Sequence, residues 1–323
     1  MLPLPSAPAR SAWLLAGPTA CGKTAVAHEL ARRHGMEILS ADSMLVYAGM
    51  DIGTAKPSVA ERAGIPYYGL DLVSPAEHCS AGVFLRAAAQ AVRDAEAHGF
   101  PLLVVGGTGL YFDLLLHGLD ACEPDGTPPE VRARWQAVFA EGGLDALRAE
   151  AERRSPGLLA RLSDPRNPRR ILRALERLDQ GLEPLASRDS GASPDIPFPA
   201  LDIPQEELAP RIDARIAAMF AAGLLDEVRA VRRAFPVWSD TAAKAIGYAE
   251  ACAVVDGVLD EAAAREQIAA RTRHLARRQR TWFRHKAVVE WVRGPRDADD
   301  IPRAADDVER VWRLHGPHAL RLP

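Results

Sequence analysis

The chain has 323 residues, of which 48% are apolar and 26% are charged, and its formal net charge is −3. The length suits an α/β domain with a smaller second unit. The charge balance does not by itself indicate a nucleic-acid binder, so such a function would have to rest on a local basic cluster. No uncharged apolar run reaches the roughly 18 residues of a membrane span, and the amino terminus has no signal-peptide pattern.

The cysteines have no spacing typical of a zinc site or of a disulfide framework. They are Cys21, Cys79, Cys122 and Cys252. Such a chain is expected in a reducing compartment. We therefore expect a cytoplasmic protein. We also expect it to have no membrane partner and to be a monomer, although no sequence pattern determines the oligomeric state.

Strand and helix signals alternate over residues 1–120. Buried strands are predicted in SAWLLAG, MEILSAD, YYGLDLV and PLLVVGG. Helices are predicted from about Gly22 to Arg33, in SAGVFLRAAAQAVRDAEAHG and in LYFDLLLHGL. This alternation predicts an α/β fold with a parallel sheet flanked by helices on both faces. Functional groups in such a sheet gather beyond the carboxyl ends of the strands.

The pattern changes after residue 120. From about Pro128 to Gly181 the chain shows helical periodicity without a convincing strand, which predicts an inserted helical subdomain at residues 121–190 that binds tRNA. The Pro/Ser/Gly-rich run PLASRDSGASPDIPFP follows and is typical of a linker. Residues 191–323 then return to the core with a strand in PALDI, and are mostly helical apart from AVVEWV. We thus predict a core formed by residues 1–120 and 191–323.

The segment LLAGPTACGKT has the pattern of a phosphate-binding loop. Gly17, Gly22, Lys23 and Thr24 fit G-x-x-x-x-G-K-[ST] between a predicted strand and a predicted helix. In such a loop, backbone N–H groups and the helix N-terminus surround a phosphate, the lysine adds positive charge and the threonine hydroxyl holds Mg²⁺. The alternative is a glycine turn that binds no phosphate.

The strand PLLVVGG ends in glycines, although most NTPases with this loop carry a second acid after a later strand. The predicted strand that ends in an acid is EILSAD, which ends at Asp42. If this strand lies beside the strand of the loop, Asp42 would lie at the mouth of the loop. It could there position a metal or remove a proton, and a helix-cap or turn aspartate is the alternative.

A basic stripe, ARTRHLARRQRTWFRHK, lies at residues 270–286, where Trp282 and Phe283 stand among seven cations and no acid. Arginines with interleaved aromatics are typical of RNA binding through phosphate contacts and base stacking. A solvated helix with its aromatics in the core is the alternative. A second basic run, RNPRRILR, favours RNA. We expect Arg277, Arg280 and Arg284 to share one helix face and act together, because they are three and four residues apart. The alternative is that Arg278, which points away from them, acts with residues outside the stripe.

With these segments placed, the chain resembles the bacterial tRNA dimethylallyltransferase family, also called tRNA isopentenyltransferases. The resemblance lies in GPTACGKT, SADSMLVYAGMDIGTAKPS, VGGTGLYFDLLLHGL, PRRILRALE, RIDARIAAMFAAGLLDEVRA, KAIGYAE and RRQRTWFRHK. DSMLVYAGMDIGTAKP is the most specific of them. The family transfers a dimethylallyl group from its diphosphate to N6 of the adenosine just 3′ of the tRNA anticodon, and diphosphate leaves. The resemblance also implies a P-loop NTPase-like core.

The resemblance implies that the loop binds the diphosphate of an isoprenoid. No γ-phosphoryl group is then transferred, which accounts for the missing second acid. Lys23, Thr24 with Mg²⁺, and Arg215 would assist the leaving group, and Asp42 would be the general base. The diphosphate-binding residues implied are Gly17, Pro18, Thr19, Ala20, Cys21, Gly22, Lys23 and Thr24.

The resemblance also implies contacts with tRNA in four segments and at two single positions. Residues 42–45 would line an adenosine extruded from its stack. The implied contacts are Asp42, Ser43, Met44, Leu45, Thr108, Arg132, Arg169, Arg170, Ile171, Leu172, Arg173, Lys244, Ala245, Ile246, Gly247, Tyr248, Arg277, Arg278, Gln279, Arg280, Thr281, Trp282, Phe283 and Arg284.

Two positions depart from the family pattern. Ala249 stands where an arginine often follows the GY pair, which puts a side-chain contact with RNA there in doubt. Cys21 stands where a serine is common. We expect a lowered pKa for a thiol at a helix N-terminus, and a buried, inert cysteine is the alternative.

Two other functions fit parts of the sequence. A P-loop kinase for a small molecule or nucleotide would use the same loop, with Asp42 as base for a hydroxyl acceptor. That function leaves the basic stripe and the helical insert without a use. A non-catalytic RNA-binding protein is disfavoured because Lys23, Thr24 and Asp42 are all present.

Overall fold

The structure, a computed structural model, describes residues 4, 8–118, 127–162, 164–184 and 196–323. These residues form two compact units, one from residues 1–118 with 193–323 and one from residues 119–192. The described strands are β1 Ser11–Ala16, β2 Glu37–Ala41, β3 Tyr67–Tyr68, β4 Leu102–Gly106, β5 Phe198–Asp202, β6 Val289–Arg293 and β7 His318–Ala319.

The helices of the larger unit lie between these strands along the chain. They are α1 Lys23–His34, α2 Val59–Arg62, α3 Ala81–His98, α4 Gly109–His117, α8 Gln205–Ala221, α9 Leu224–Ala234, α10 Asp240–Ala243, α11 Tyr248–Val255, α12 Glu261–Lys286 and α13 Ile301–His315. The smaller unit contains α5 Pro129–Arg154, α6 Leu158–Arg161 and α7 Pro168–Asp179.

The sheet of the larger unit has the strand order β3-β2-β4-β1-β5-β6, and β7 is added to β1. Every pair along this order is parallel, whereas β7 runs antiparallel to β1. Because the strands are parallel, the carboxyl ends of β1, β2, β4 and β5 lie at one edge. The predicted parallel sheet flanked by helices is confirmed.

The central strands are mostly apolar because both faces of the sheet are covered. All residues of β1, β2 and β4 are buried. Trp13 and Trp312 pack with ring centroids 5.2 Å apart, and the indole N–H of Trp312 donates to the carbonyl of Leu14 at 2.9 Å. This packing fixes α13 on one face of the sheet.

The third predicted strand, YYGLDLV, is much shorter than expected. It is interrupted after Tyr68 because Gly69 and Asp71 have φ angles of +78° and +53°, which an extended strand does not allow. β7 lies in a segment for which the sequence predicted no strand. None of the described helices is long and apolar enough to span a membrane.

The smaller unit has a core of its own among its described residues. Trp135, Leu147, Ile171 and Leu175 are fully buried in it, and the indole N–H of Trp135 donates to Asp179 Oδ2 at 2.9 Å. Helix α5 is interrupted at Gly143, where φ is +64°.

Candidate active site

The phosphate-loop residues 17–24 connect β1 to α1. Gly17 has φ +148°, and a Cβ there would lie 2.5 Å from the carbonyl oxygen of Leu201. Gly22, which precedes α1, has φ +93°, and its Cβ would lie 2.7 Å from Pro295. Both positions therefore require glycine for backbone angle and for space. The first turn of α1 carries no acid, so its free N–H groups and partial positive charge are available to an anion.

The polar side chains of the loop lie at the start of α1. Lys23 Nζ donates to the carbonyl of Pro18 at 2.5 Å, which keeps the ammonium over the loop. Thr24 is exposed, so its hydroxyl is accessible to a ligand. The backbone N–H of Thr19 donates to Gln279 Oε1 at 2.8 Å, which links the loop to α12.

Cys21 is fully buried in the core beneath the loop. Burial raises the pKa of its thiol, and the nearby Lys23 opposes this only in part. The expected lowering of the pKa at the helix N-terminus is therefore wrong, because loss of hydration outweighs the helix and lysine charges here.

Asp42 follows β2 at the same edge of the sheet as the loop. β4 lies between β1 and β2, so the two strands are not neighbours and their ends are about 10 Å apart, two strand spacings. Asp42 Oδ1 accepts the N–H of Met44 at 2.8 Å. Among residues 8–118 and 196–323, no hydrogen-bond donor to Oδ2 is found. One carboxylate oxygen is thus fixed and the other is available to a substrate.

The intervening strand β4 ends at Gly106, and Gly107 follows it. A Cβ on Gly106 would overlap the carbonyl of Ala41, and one on Gly107 would overlap the Gln279 amide. These glycines permit close approach of the ends of β2 and β4 and of α12, and they place no side chain of their own between the loop and Asp42. The sequence predicted that no acid follows this strand but did not predict this close packing. A glycine pair at a strand end is the signal that indicates it.

Arg215 extends from α8 into the same edge. Its Nη1 donates to Thr19 Oγ1 at 3.3 Å and its Nη2 donates to the carbonyl of Thr54 at 3.0 Å. Burial lowers the pKa of the guanidinium, and the carboxylate of Asp42 opposes that shift. The structure therefore brings together the loop, Asp42 and Arg215, all of which the sequence singled out.

Residues 43 and 108 connect the ends of β2 and β4. The N–H of Ser43 donates to Thr108 Oγ1 at 3.0 Å, and Thr108 Oγ1 donates to Ser43 Oγ at 3.3 Å. These bonds fix the segment that follows Asp42. Met44 and Leu45 are half-buried there.

Helix α12 has an inward and an outward side within residues 277–286. Gln279 contacts the loop, Trp282 packs against Gly109, and Phe283 is fully buried. Arg280 also faces inward, where it donates to Asp202 Oδ1 and Oδ2 at 2.6 and 2.8 Å and to the carbonyl of Ile203 at 3.0 Å.

The outward side carries the exposed part of the basic stripe. Its exposed arginine, lysine and threonine residues are Arg277, Arg278, Thr281, Arg284 and Lys286, and His285 is exposed as well. Within the described part of the chain, no ion pair is found for these four cations. The expected grouping of Arg280 with Arg277 and Arg284 differs from the structure because Asp202, at the end of β5, attracts its guanidinium.

The segment at residues 244–248 is mostly buried. Lys244 is exposed and lies 3.7 Å from Asp240, with 77% of its side chain accessible. Ala245 and Tyr248 are buried, and Ile246 is half-buried. Only Lys244 of this segment presents an exposed side chain to a partner.

The smaller unit holds the remaining predicted tRNA contacts. Arg132, Arg169 and Arg170 are exposed, and Arg132 lies 3.6 Å from Glu176. Ile171 belongs to the core, Leu172 packs against that core, and Arg173 donates to Thr127 and Glu176. Of the predicted contacts in this unit, the exposed arginines are those at positions 132, 169 and 170.

Comparison with known proteins matches this arrangement to one family. A family model described as IPP transferase matches residues 45–286, and one described as isopentenyl transferase matches residues 10–68. The tRNA dimethylallyltransferase of Anaeromyxobacter dehalogenans strain 2CP-C is 44% identical over 299 residues, which cover 91% of this chain and 98% of the relative. The chain belongs to the tRNA dimethylallyltransferase family.

Other relatives agree. The tRNA dimethylallyltransferase of Mycobacterium tuberculosis strain ATCC 25177 / H37Ra is 40% identical over 308 residues, covering 92% of this chain and 97% of that protein. The tRNA isopentenylpyrophosphate transferase of Bacillus halodurans superposes with a TM-score of 0.66 at 30% identity, over 94% of this chain and 99% of that one.

A eukaryotic dimethylallyltransferase acting on tRNA superposes with a TM-score of 0.76 at 22% identity, over 93% of this chain and 76% of that one, which shows a shared fold. The predicted P-loop NTPase-like fold and prenyl transferase class are confirmed, and the kinase function is not favoured.

Proposed function

We propose that this tRNA dimethylallyltransferase homologue transfers a dimethylallyl group from dimethylallyl diphosphate to N6 of the adenosine just 3′ of the tRNA anticodon. The bond from carbon to the diphosphate oxygen breaks, and its electron pair leaves with the diphosphate. The bond between N6 and that carbon forms, and one N6 proton passes to Asp42. The reaction needs no oxidant or reductant.

The proposal rests on one observation: the phosphate loop and Asp42 lie at the same edge of the sheet. The loop follows β1, Asp42 follows β2, and the side-chain-free end of β4 lies between them. The separation of about 10 Å suits a diphosphate at one end and an adenine amine at the other, with the prenyl carbons between. A kinase needs a γ-phosphate instead, and no second acid follows β4 to support one.

The loop and Arg215 stabilise the departing diphosphate in this proposal. The free N–H groups at the start of α1, Lys23 and the guanidinium of Arg215 all present positive charge to the same place. Charge that develops on the leaving oxygen meets these donors without reorganisation, which is the source of electrostatic catalysis.

Thr24 fits a magnesium ion that is shared with the diphosphate. Among the described residues, no group of three or more acidic, histidine or cysteine side chains could hold a metal by itself. Mg²⁺ commonly takes one or two protein oxygens and completes its shell with substrate phosphates and water. The exposed hydroxyl of Thr24 supplies one such oxygen, and a bound Mg²⁺ would neutralise charge on the leaving diphosphate.

Asp42 acts on the attacking amine. The lone pair of adenine N6 is delocalised into the purine, so a carboxylate that accepts its proton promotes attack. Residues 42–45 and 108 would receive the extruded base, while the exposed cations of α12, Lys244, Arg132 and Arg169–Arg170 would hold the RNA backbone. Inward residues of the predicted set, such as Gln279 and Arg280, would support these surfaces from behind.

We also propose that the enzyme acts as a monomer in the cytoplasm. All residues assigned to the chemistry come from one chain, and the described cysteines Cys21, Cys79 and Cys252 are free thiols. Light scattering of the purified protein at micromolar concentration tests the oligomeric state, and a dimer mass would contradict it.

The proposed function is tested by a transfer assay with two labelled donors. Purified protein is incubated with unmodified tRNA and either dimethylallyl diphosphate labelled in the prenyl group or ATP labelled at the γ-phosphate. We expect label to reach the tRNA only from the first donor and to be recovered as N6-dimethylallyladenosine after digestion. Phosphoryl transfer from ATP, or RNA binding with no transfer, would contradict the proposal.

A further inference from the structure

Glu227 lies outside the loop and outside the predicted RNA-contacting segments, yet it has an unusual set of partners. It stands in the first turn of α9, just after the loop that joins α8 to α9. Its carboxylate accepts the backbone N–H groups of three consecutive residues, 51, 52 and 53, at 2.8 to 3.3 Å. Three converging N–H groups form a concave anion site of the kind that usually binds phosphate.

Tyr248 completes this site. Its hydroxyl donates to Glu227 and accepts the N–H of Gly53 at 3.3 Å. The contact with Gly53 is close enough that a Cβ there would lie 2.5 Å from the tyrosine ring. Tyr248 is fully buried, so both the carboxylate and the ring hold the same turn from one side.

The turn at residues 51–54 leads directly to the reaction edge. The carbonyl of Thr54 accepts Arg215 Nη2 at 3.0 Å, and Arg215 Nη1 reaches Thr19 Oγ1 in the loop. Arg215 and Glu227 belong to the consecutive helices α8 and α9. The contacts therefore close a ring from α9 through the turn to Arg215 on α8.

We propose that Glu227 is a positioning residue for Arg215. By fixing residues 51–53 to α9, its carboxylate fixes the carbonyl of Thr54, and that carbonyl orients the guanidinium toward the diphosphate. Within the described part of the chain, Arg215 donates hydrogen bonds to Thr54 and to Thr19, and loss of the first would leave the guanidinium to rotate about the second. The inference rests on the proposed function, because it assigns Arg215 to the diphosphate.

The scaffold on the other side of the turn does not depend on Glu227. Lys56 Nζ donates to the carbonyl of Tyr47 at 2.8 Å and pairs with Asp51 and Asp71 at 2.6 and 2.5 Å. A change at Glu227 therefore releases one side of the turn while this buried lysine still holds the other. We expect a shift of Arg215 rather than loss of the fold.

Glu227→Gln tests the inference. The amide has the same shape, but its NH₂ group faces backbone donors and one acceptor oxygen is lost. We expect kcat/KM for dimethylallyl diphosphate to fall about 10²-fold, because a misplaced catalytic group costs about that much. Calorimetry should show weaker binding of inorganic diphosphate, and the affinity for tRNA should be unchanged.

Asp226→Asn is the matched control. Asp226 lies in the same turn of α9, its side chain is 84% exposed, and it pairs with Arg229. No hydrogen bond or ion pair joins its side chain to residues 51–54 in the described part of the chain. We therefore expect wild-type values for kcat/KM, diphosphate binding and tRNA affinity. Tyr248→Phe is the second test variant, since it removes one hydroxyl and keeps the ring; a smaller loss in the same direction is expected.

A double variant separates positioning from a general structural effect. If Glu227 acts through Arg215, then Glu227→Gln with Arg215→Ala is no slower than Arg215→Ala alone. Multiplying losses would overturn the inference, as would normal diphosphate binding by Glu227→Gln and Tyr248→Phe. Failure of the wild-type enzyme to transfer the dimethylallyl group would instead overturn the proposed function, so the two failures are distinguishable.

Discussion

The carboxyl edge of the sheet and the end of helix α12 place their polar residues in opposite ways. At the sheet edge, the loop, Asp42 and Arg215 come from distant parts of the chain and converge on one space. Along α12, neighbouring residues diverge: Arg280 turns inward to Asp202, while Arg277, Arg278 and Arg284 stay exposed. Chemistry needs convergence on one small molecule, whereas binding of an extended polymer needs charges spread over a surface.

The largest effect is expected for a substitution of Asp42 at the sheet edge. Asp42→Asn keeps the Oδ1 acceptor for the N–H of Met44 but cannot remove a proton. We expect the single-turnover rate of prenyl transfer to fall about 10²- to 10⁴-fold, the range for a positioned base. The affinity for tRNA, measured by filter binding, serves as the control and should change little. A near-normal rate would show that Asp42 is not the base.

The next effect sharpens the division within α12. Arg280→Ala removes a bidentate ion pair and leaves the half-buried carboxylate of Asp202 without this partner. We expect a loss of about 1–3 kcal/mol in the free energy of unfolding by urea, as for hydrogen bonds to charged groups. Arg278→Ala, on the outward side, should change it by less than about 0.5 kcal/mol. Equal losses would mean that the two sides do not differ.

The outward arginines should appear in the salt dependence of RNA binding. Each phosphate neutralised adds about −0.7 to −0.9 to the slope of log affinity against log salt concentration. Replacing Arg277, Arg278 or Arg284 by alanine should reduce the magnitude of that slope by about one unit and weaken different tRNAs similarly. A triple variant with an intact fold and an unchanged slope would mean that RNA binds elsewhere.

The smallest expected effect concerns Cys21. Burial raises its thiol pKa, so little thiolate forms at neutral pH. We expect iodoacetamide to leave Cys21 unmodified in the native enzyme and to modify it in urea, as followed by peptide mass spectrometry. Because the pKa of Cys21 is raised in the folded protein, its burial does not lower the free energy of unfolding below about pH 8.5, the pKa of an unfolded thiol. Above that pH the free energy of unfolding declines. Rapid native alkylation would contradict the burial argument.

The local parts of the candidate site can be recognised in the sequence because their spacing forms a pattern. The loop glycines, Lys23 and Thr24 lie within eight residues, and Asp42 ends a predicted strand. The pairing of Arg280 with Asp202 could not be predicted, since the two are 78 positions apart and meet only when β5 lies beside β1. The bond from Thr19 to Gln279 spans 260 positions and was missed for the same reason.

The position of β4 between β1 and β2 was also beyond the sequence. Strand order depends on which apolar strands pair, and all of them are similarly buried. From the sequence, β1 and β2 were possible neighbours, whereas the structure places β4 between them, so that two strand spacings separate the loop from Asp42. The proposed role of residues 51–54 in orienting Arg215 could not be predicted from the sequence either. Their partners Glu227 and Tyr248 lie on helices far along the chain.

The central claim is that the sheet edge binds the prenyl diphosphate and the outward side of α12 binds the RNA. It is tested most directly by measuring, for Arg215→Ala and Arg278→Ala in parallel, the Michaelis constant for dimethylallyl diphosphate and the dissociation constant for tRNA. We predict a crossed result: Arg215→Ala raises only the first constant and Arg278→Ala raises only the second. If either substitution raises both constants alike, the two regions do not have the separate roles assigned to them here.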